Sequence, residues 1–107
     1  MCVILDNNKS CEPTLALPNA ADKWKSFGWN VETADGHDIP NLLNYFDNID
    51  FSKPNLLVAN TIKGKGVSYM EGIPTWHGSL KLSKEDLSQA LLELGEDKTK
   101  IKEYFND

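Results

Sequence analysis

Three short stretches of the 107-residue sequence carry side chains that could do chemistry. The first is Asp6-Asn7-Asn8-Lys9-Ser10, which directly follows an apolar run. Its amide and backbone oxygens could coordinate a hard cation such as magnesium, which prefers an octahedron of oxygens and often takes some of them from phosphate. Two asparagines after a strand are more often a plain turn. The residues alone therefore leave both interpretations open.

The second stretch is a glycine-rich cationic loop, Thr61-Ile62-Lys63-Gly64-Lys65-Gly66. Glycines let a backbone approach a ligand closely, and the lysines add positive charge, so an anionic group such as a diphosphate would suit this loop. The spacings of a P-loop or a dinucleotide fingerprint are absent. The alternative is a mobile, solvated turn, which the residues alone favour.

The third stretch is Pro74-Thr75-Trp76-His77-Gly78, in a long loop. Histidine is the side chain that best handles protons near neutral pH, so His77 is a candidate proton carrier. A surface imidazole bonded to backbone is the alternative, and the residues alone favour it. His37 lies in a helix-opening turn, where we expect a structural role.

The elements that must position these stretches alternate between strand and helix. The predicted strands are Cys2–Leu5, Trp29–Thr33 and Asn55–Thr61. The predicted helices are 19–27, one that opens at Asp38 and stops at Lys53-Pro54, 83–94, and a weak one over 97–106. This alternation predicts an α/β fold with a parallel sheet of about three strands and flanking helices. In such sheets ligands bind at the carboxyl ends of the strands, where the candidate stretches begin.

Helix-capping residues support these boundaries. Asn19 is a candidate N-cap, and Gly28 is suited to the left-handed position after the same helix. Asp38 is a candidate N-cap with Pro40 early in its helix. Ser83 opens a later helix, where Asp86 replaces the Glu or Gln of a full capping box.

Composition limits the possible partners and location. The net charge of −5 works against non-specific binding of nucleic acid. No stretch approaches a membrane span, and two cysteines without further metal-spaced partners predict reduced thiols. We therefore expect a cytoplasmic protein that binds neither nucleic acid nor membrane.

Taken in order, the stretches resemble transketolases across about residues 3 to 80. The pieces that carry the resemblance are the strand with Asp6-Asn7-Asn8-Lys9, the segment 21–29 (ADKWKSFGW), Asp35-Gly36-His37-Asp38, the segment 61–71 (TIKGKGVSYME), and Trp76-His77-Gly78. Within that family the chain resembles the two-subunit transketolases, in which the cofactor-binding domain is a separate polypeptide. Residues 1–107 would then form a single, partial thiamine-diphosphate-binding domain, corresponding to the C-terminal half of that domain.

The resemblance implies an activity and a set of site residues. Transketolases transfer two-carbon ketol units between sugar phosphates with thiamine diphosphate and a divalent metal. Carried over by position, Asn8 would give its side-chain oxygen to the metal, Mg²⁺, and Ser10 its backbone carbonyl. Lys63 would place its ammonium near the cofactor diphosphate. His77 would lie near the diphosphate and the substrate, where it would orient the sugar or move a proton.

The chain also departs from the family pattern. It has no Gly-Asp-Gly motif, which in the family supplies a metal-binding aspartate some thirty residues before the Asn8 equivalent, and it lacks the domain that holds the aminopyrimidine ring. We therefore expect complementary transketolase chains, or self-association, to complete the site. A non-catalytic interaction or regulatory module that kept the fold is the alternative. A phosphate-binding domain with a new ligand is a third.

Overall fold

The computed structural model describes residues 1–10, 18–78 and 80–105. Over this range the chain folds as two compact units, Met1–Thr61 and Ile62–Asp107. Cys11 and most of the loop predicted between Lys9 and Pro18 lie outside the described residues. Among the described residues, Cys2 is a free thiol.

A three-stranded parallel sheet organises the first unit. Its strands are β1 (Cys2–Asn7), β2 (Asn30–Asp35) and β3 (Asn55–Asn60), in the order β1-β3-β2. Both outer strands pair with β3 in parallel and in line. With its flanking helices, this sheet confirms the predicted α/β fold. The second strand lies one to two residues later than the predicted Trp29–Thr33.

Burial differs sharply between the central strand and β1. Leu56 and Leu57 of β3, the central strand, are 0% and 1% exposed. In β1, by contrast, Cys2 is exposed and Ile4 is 55% exposed. The prediction of a buried strand is therefore right for β3 and wrong for one face of β1. A parallel strand is buried only when helices cover both faces, and the described helices of this unit pack mainly against β2.

Two helices of the first unit, α1 (Ala20–Ser26) and α2 (Ile39–Asp47), connect the strands. The side chain of Asp38 accepts from the backbone N–H of Asn41 at 3.1 Å, which confirms it as the N-cap of α2. Asn19 does not cap α1 with its side chain. Capping side chains work from extended backbone, whereas Asn19 has φ 56° and lies in the left-handed region.

The ends of the two helices were predicted with different success. Gly28 has φ +83°, the left-handed conformation that favours glycine after a helix, as predicted. In contrast, α2 ends well before the predicted stop at Lys53-Pro54, with Asn48 as its C-cap.

The core of this unit forms where α2 meets the sheet. It contains Ala34, Tyr45 and Leu57, with Leu42 and Ile49 packed against them.

The second unit contains a short 3₁₀ helix (Pro74–His77) and two further helices, α3 (Lys84–Glu93) and α4 (Lys98–Glu103). Ser83 Oγ accepts from the backbone N–H of Asp86 at 3.0 Å, and the Asp86 carboxylate accepts from the backbone N–H of Ser83 at 3.2 Å. The capping box of α3 is thus complete, although Asp86 replaces Glu or Gln. Across the described ranges, every helix is too short or too polar to cross a membrane.

Candidate functional site

The carboxyl ends of the three strands meet at one edge of the sheet. Asn7 and Asp35, the last residues of β1 and β2, both lie opposite Asn60 of β3. The Asn7 amide donates to Asn60 Oδ1 at 2.7 Å. The backbone N–H of Gly36 donates to the Asn60 carbonyl, also at 2.7 Å. The three residues that end the strands are therefore tied to one another, and the residues after them share this edge.

Gly36 allows the close approach at this edge. A Cβ at this position would overlap the methyl group of Thr61 and would lie 3.2 Å from the Asn60 carbonyl oxygen. Any larger residue would therefore push the turn after β2 away from the end of β3.

Both the nitrogen and the oxygen of the Asn8 side-chain amide form hydrogen bonds. Its nitrogen donates to Asp6 Oδ2 at 2.9 Å, and its oxygen accepts from the backbone N–H of Ser10 at 2.9 Å. The other oxygen of Asp6 accepts from the hydroxyl of Thr61. Lys9, between the two ends of the turn, has φ 61°. The amide of Asn8 is thus fixed by groups from β1, from the residue after β3 and from its own turn.

Asp6 and Thr61 lie in the candidate stretches, but the sequence predicted site roles only for Asn8 and Ser10 and not for these two residues, which orient the Asn8 amide. Asp6 and Asn8 lie two residues apart at the end of a strand, where the side chains of such a pair share one face. That spacing was a signal that could have identified Asp6. No local signal connects Thr61 with Asp6, because the two residues are 55 positions apart.

The oxygens in this turn match in type the ligands that magnesium prefers, and they could form part of a coordination shell. An amide oxygen has two lone pairs, so Asn8 Oδ1 keeps one after accepting from Ser10. The backbone carbonyl of Ser10 is a second neutral oxygen. Ser10 Oγ is buried and has no hydrogen-bond partner within the described ranges, so the turn also holds an unsatisfied polar atom.

Two neutral oxygens leave most of an octahedral shell to other groups. Within the described residues, no cluster of three or more His, Cys, Asp or Glu side chains could hold a metal on its own. The turn fits the metal-binding role only as one contributor among several.

The glycine-rich loop lies in the second unit and closes on itself. The backbone N–H of Gly72 donates to the Lys63 carbonyl at 2.8 Å. Gly64 and Gly66 have φ +73° and +93°, conformations that other residues rarely adopt. A Cβ on Gly64 would also lie 2.7 Å from the backbone of Met70. The loop is therefore a compact chain reversal that requires glycine at position 64.

The two lysines of this loop differ in their surroundings. Lys65 is exposed and pairs with Glu71 at 3.3 Å. Lys63 is half-buried and forms no ion pair with any described residue. Lys63 thus differs from Lys65 in having an ammonium group that no described carboxylate pairs with.

His77 ends the 3₁₀ helix and is exposed. The ring of its neighbour Trp76 packs on Tyr69, with ring centroids 5.3 Å apart. The Tyr69 hydroxyl donates to the Asp86 carbonyl at 2.7 Å. Desolvation, followed by the Asp86 and Glu93 charges, raises the pKa of Tyr69. The backbone beside His77 is thus anchored to α3 through two aromatic rings.

The candidate residues fall into two pairs. Asn8 and Ser10 share one turn of Met1–Thr61. Lys63 and His77 belong to Ile62–Asp107, where the Tyr69–Trp76 contact joins their segments. His37 donates its backbone N–H to Asp35 Oδ1 at 2.9 Å, a contact consistent with the structural role expected from its turn.

The chain is similar in sequence to subunits of known transketolases. No protein-family model matches the chain. One of the subunits of the apulose-4-phosphate transketolase of Phocaeicola vulgatus is 34% identical in an alignment that covers 99% of this chain and 40% of that protein. The 6-deoxy-6-sulfo-D-fructose transketolase subunit of a Clostridium species is 39% identical over 75 residues, covering 68% of this chain and 27% of that protein.

The fold is also found in a solved transketolase. The structure of transketolase from Campylobacter jejuni superimposes with a TM-score of 0.75 over 91% of this chain and 16% of the transketolase chain. The sequence identity is 23%, so this match bears on the fold alone. The chain spans 40% and 27% of the length of the two curated relatives. It is therefore homologous, over nearly its whole length, to part of transketolase subunits.

Proposed function

We propose that this chain is one part of a transketolase-like transferase that moves two-carbon ketol units between sugar phosphates. The observation that carries this proposal is the 34% identity to a transketolase subunit over 99% of the chain. In this proposal residues 1–107 form one partial thiamine-diphosphate-binding domain, the C-terminal half of it. When bound, thiamine diphosphate supplies the carbanion-stabilising chemistry of ketol transfer.

Asn8 and Ser10 would contribute to the divalent metal, Mg²⁺. The side-chain oxygen of Asn8 and the backbone carbonyl of Ser10 are the donors. The Asp6 contact holds the Asn8 amide in one orientation, so its oxygen would need no rearrangement to accept a cation. This pre-organisation supports metal binding by a turn that is otherwise ordinary.

Lys63 and His77 would act on the phosphate and on the sugar. The Lys63 ammonium, free of an ion pair among the described residues, would make a charge-assisted contact with the cofactor diphosphate. His77 is exposed, so its imidazole is open to a substrate, which it would orient or to which it would transfer a proton.

A partner chain would supply the remaining groups. The curated relatives are named as subunits, which supports an assembly of complementary chains. The partner's part would include the Gly-Asp-Gly aspartate and the binding site of the aminopyrimidine ring. Self-association of this chain is the alternative way in which the site could be completed. The cytoplasmic location and the lack of nucleic-acid and membrane partners stay predictions from composition.

Calorimetric titration of thiamine diphosphate with Mg²⁺ tests this proposal. We expect no saturable binding by the isolated chain, because one amide oxygen and one carbonyl cannot complete the magnesium shell. With a complementary transketolase chain that contains Gly-Asp-Gly, we expect saturable binding and ketol transfer. Low-micromolar affinity for the isolated chain would overturn the split-site proposal. A stable complex without cofactor binding would favour the non-catalytic interaction module.

Variants of the reconstituted complex test the individual roles. Asn8→Ala should weaken metal-dependent cofactor binding, whereas Asn44→Ala, an exposed amide on α2, should not. His77→Ala should mainly slow turnover, by about 10²–10⁴-fold, the usual contribution of a positioned proton-transfer group. Thr75→Ala, on the same 3₁₀ helix, is its control. Equal turnover in the two 3₁₀-helix variants would exclude a catalytic role for His77.

A further inference from the structure

The segment that follows Lys63 is held by the last turn of α3. Glu93, the final residue of α3, accepts two hydrogen bonds from Ser68. One comes from the Ser68 backbone N–H at 2.5 Å and the other from its hydroxyl at 2.6 Å. Both oxygens of the Glu93 carboxylate are thus bonded to Ser68, which lies two residues after the cationic loop.

Gln89, one turn before Glu93 on α3, bonds to both residues, and we call the three side chains the Ser68–Glu93 clamp. Its side-chain nitrogen donates to Glu93 Oε1 at 2.9 Å and to Ser68 Oγ at 3.2 Å. Residues four positions apart lie on one face of a helix, so Gln89 and Glu93 approach the loop together. The side-chain hydrogen bonds from Ser68 and Gln89 are the main reason that the pKa of Glu93 is lowered, and the carboxylate is charged at neutral pH.

The position of Glu93 is unfavourable for the helix itself. The carboxyl end of a helix carries partial negative charge and disfavours an acidic side chain. The last turn of α3 contains no basic residue to offset this effect. The bonds to Ser68 and Gln89 give the carboxylate a local role that explains why it can occupy this position.

The clamped loop needs such support. Gly64 and Gly66 both have positive φ, and glycine gains the most conformational freedom when a loop loses its contacts. The position of a Gly66 Cβ lies 3.2 Å from Leu94, so the loop rests on the carboxyl end of α3. Lys63 is closed into the same chain reversal by the Gly72 N–H. A constraint on Ser68 therefore limits the motion of the whole cationic loop.

We propose that Glu93 is a positioning residue, which holds the Lys63 loop ready for an anionic ligand through its two bonds to Ser68. This inference rests on the proposed function, since it takes the ligand to be the diphosphate of thiamine diphosphate. Glu93 touches neither cofactor nor substrate in this role. It removes the need to order a glycine-rich loop when the diphosphate binds, and so increases affinity without a direct contact.

Amide hydrogen exchange of the 107-residue chain tests the positioning independently of the cofactor. In Glu93→Gln and in Ser68→Ala we expect exchange of the amides from Lys63 to Ser68 to become about tenfold faster, while the amides of β3 stay unchanged. Glu103→Gln makes the same charge change at an exposed position on α4 and should have no effect. Unchanged exchange in the loop, or an equal increase in β3, would overturn the inference.

The affinity of the reconstituted complex for thiamine diphosphate is a second test of the role of Glu93. We expect Glu93→Gln to weaken thiamine diphosphate binding about tenfold, Ser68→Ala to weaken it equally, and the double variant to be no weaker than either. Ser68→Thr keeps the hydroxyl and should restore wild-type affinity. If wild type binds the cofactor and Glu93→Gln binds equally well, the inference is wrong. If wild type itself fails to bind, the proposed function fails, and hydrogen exchange alone then decides whether Glu93 fixes the loop.

Discussion

Lys63 and Lys65 lie two residues apart in one loop, yet their environments differ. Lys65 pairs its charge with Glu71, whereas Lys63 has no ion pair among the described residues. Two lysines that are equivalent in sequence are therefore expected to differ in function. Gly64, directly after Lys63, would let the loop backbone come close to a ligand that Lys63 bound.

We expect Lys63→Ala to weaken binding of thiamine diphosphate to the reconstituted complex by about 1.5–3 kcal/mol, the usual size of a hydrogen bond to a charged group. This loss corresponds to roughly 10- to 150-fold in Kd. Calorimetric titration at saturating Mg²⁺ measures it. Lys65→Ala, which removes only a surface ion pair, is the matched control. A larger loss for Lys65→Ala would show that the assignment within the loop is wrong.

Tyr45 carries a pH-dependent part of the stability of the first unit. The residue is 6% exposed, and its hydroxyl lies 3.9 Å from the Cys2 thiol. Burial first, then the hydrogen bond and the charges of Cys2 and Glu32, raise the pKa of Tyr45 from 10.0 to about 12. Between pH 10 and 12 the unfolded chain loses this proton while the folded chain keeps it, so ionisation favours unfolding.

We expect this group's contribution to be fully present below pH 10 and to fall by about 1.4 kcal/mol per pH unit between pH 10 and 12. Urea denaturation at a series of alkaline pH values measures the slope. Tyr45→Phe has no ionisable hydroxyl, so its stability should fall less steeply in this range. Tyr104→Phe, which changes a tyrosine that is 58% exposed, should keep the wild-type slope. Identical slopes for all three proteins would contradict the expected effect of burial.

At the scale of elements, the three strands end in register because small and polar groups lie where their ends meet. Gly36 permits the turn after β2 to pass against Thr61, and the Asn60 carbonyl accepts its backbone N–H. The same edge carries the Asp6–Asn8 contact. The geometry of the Asn8 turn therefore depends on how closely the strands end.

Gly36→Ala should destabilise the chain by about 1–3 kcal/mol, because the added methyl group overlaps packed neighbours and forces the backbone to shift. Gly78→Ala is the control, since its φ of −111° suits any residue and nothing lies within 4 Å of its Cβ position. We expect this control to stay within about 0.5 kcal/mol of wild type. Chemical denaturation compares the two. Equal stability of the two variants would mean that the strand ends can move apart at this edge without loss of stability.

At the scale of the whole molecule, apolar surface and an edge of the sheet are left uncovered by the described residues. β1 is an outer strand of the sheet, and Ile4 on it is 55% exposed. Trp24 and Trp29 meet edge to face, 4.5 Å apart, beside Phe27, which is 81% exposed. With Lys23 these rings line an open cavity of about 330 Å³. Unpaired strand edges and apolar patches of this kind favour association.

We expect the isolated chain not to be a stable monomer at micromolar concentration. It should self-associate, pair with a complementary chain, or bind apolar dyes as loosely packed states do. Ile4→Lys places a charge on β1 and should reduce self-association more than Leu43→Lys on α2, another exposed apolar position. Light scattering that reports a compact 12.0 kDa monomer, with cooperative unfolding and no dye binding, would contradict this expectation.

The amino-acid sequence determined the elements and the chemistry that they carry. Apolar runs identified β1 and β3, Asp38 identified the start of α2, and Gly28 identified the end of α1. These signals are local, because capping, backbone conformation and hydrophobic periodicity depend on residues a few positions apart. The oxygen-rich turn, the cationic loop and His77 were likewise visible in the order of the residues.

Only the tertiary structure decided how those groups are held. The Asp6–Thr61 contact joins residues 55 positions apart, and the Ser68–Glu93 clamp joins residues 25 apart. The exposure of β1 also depends on which strands and helices lie beside it, which its own apolar run does not encode. Contacts between distant residues follow from how packed elements align, whereas periodicity and capping report only the local conformation of each element.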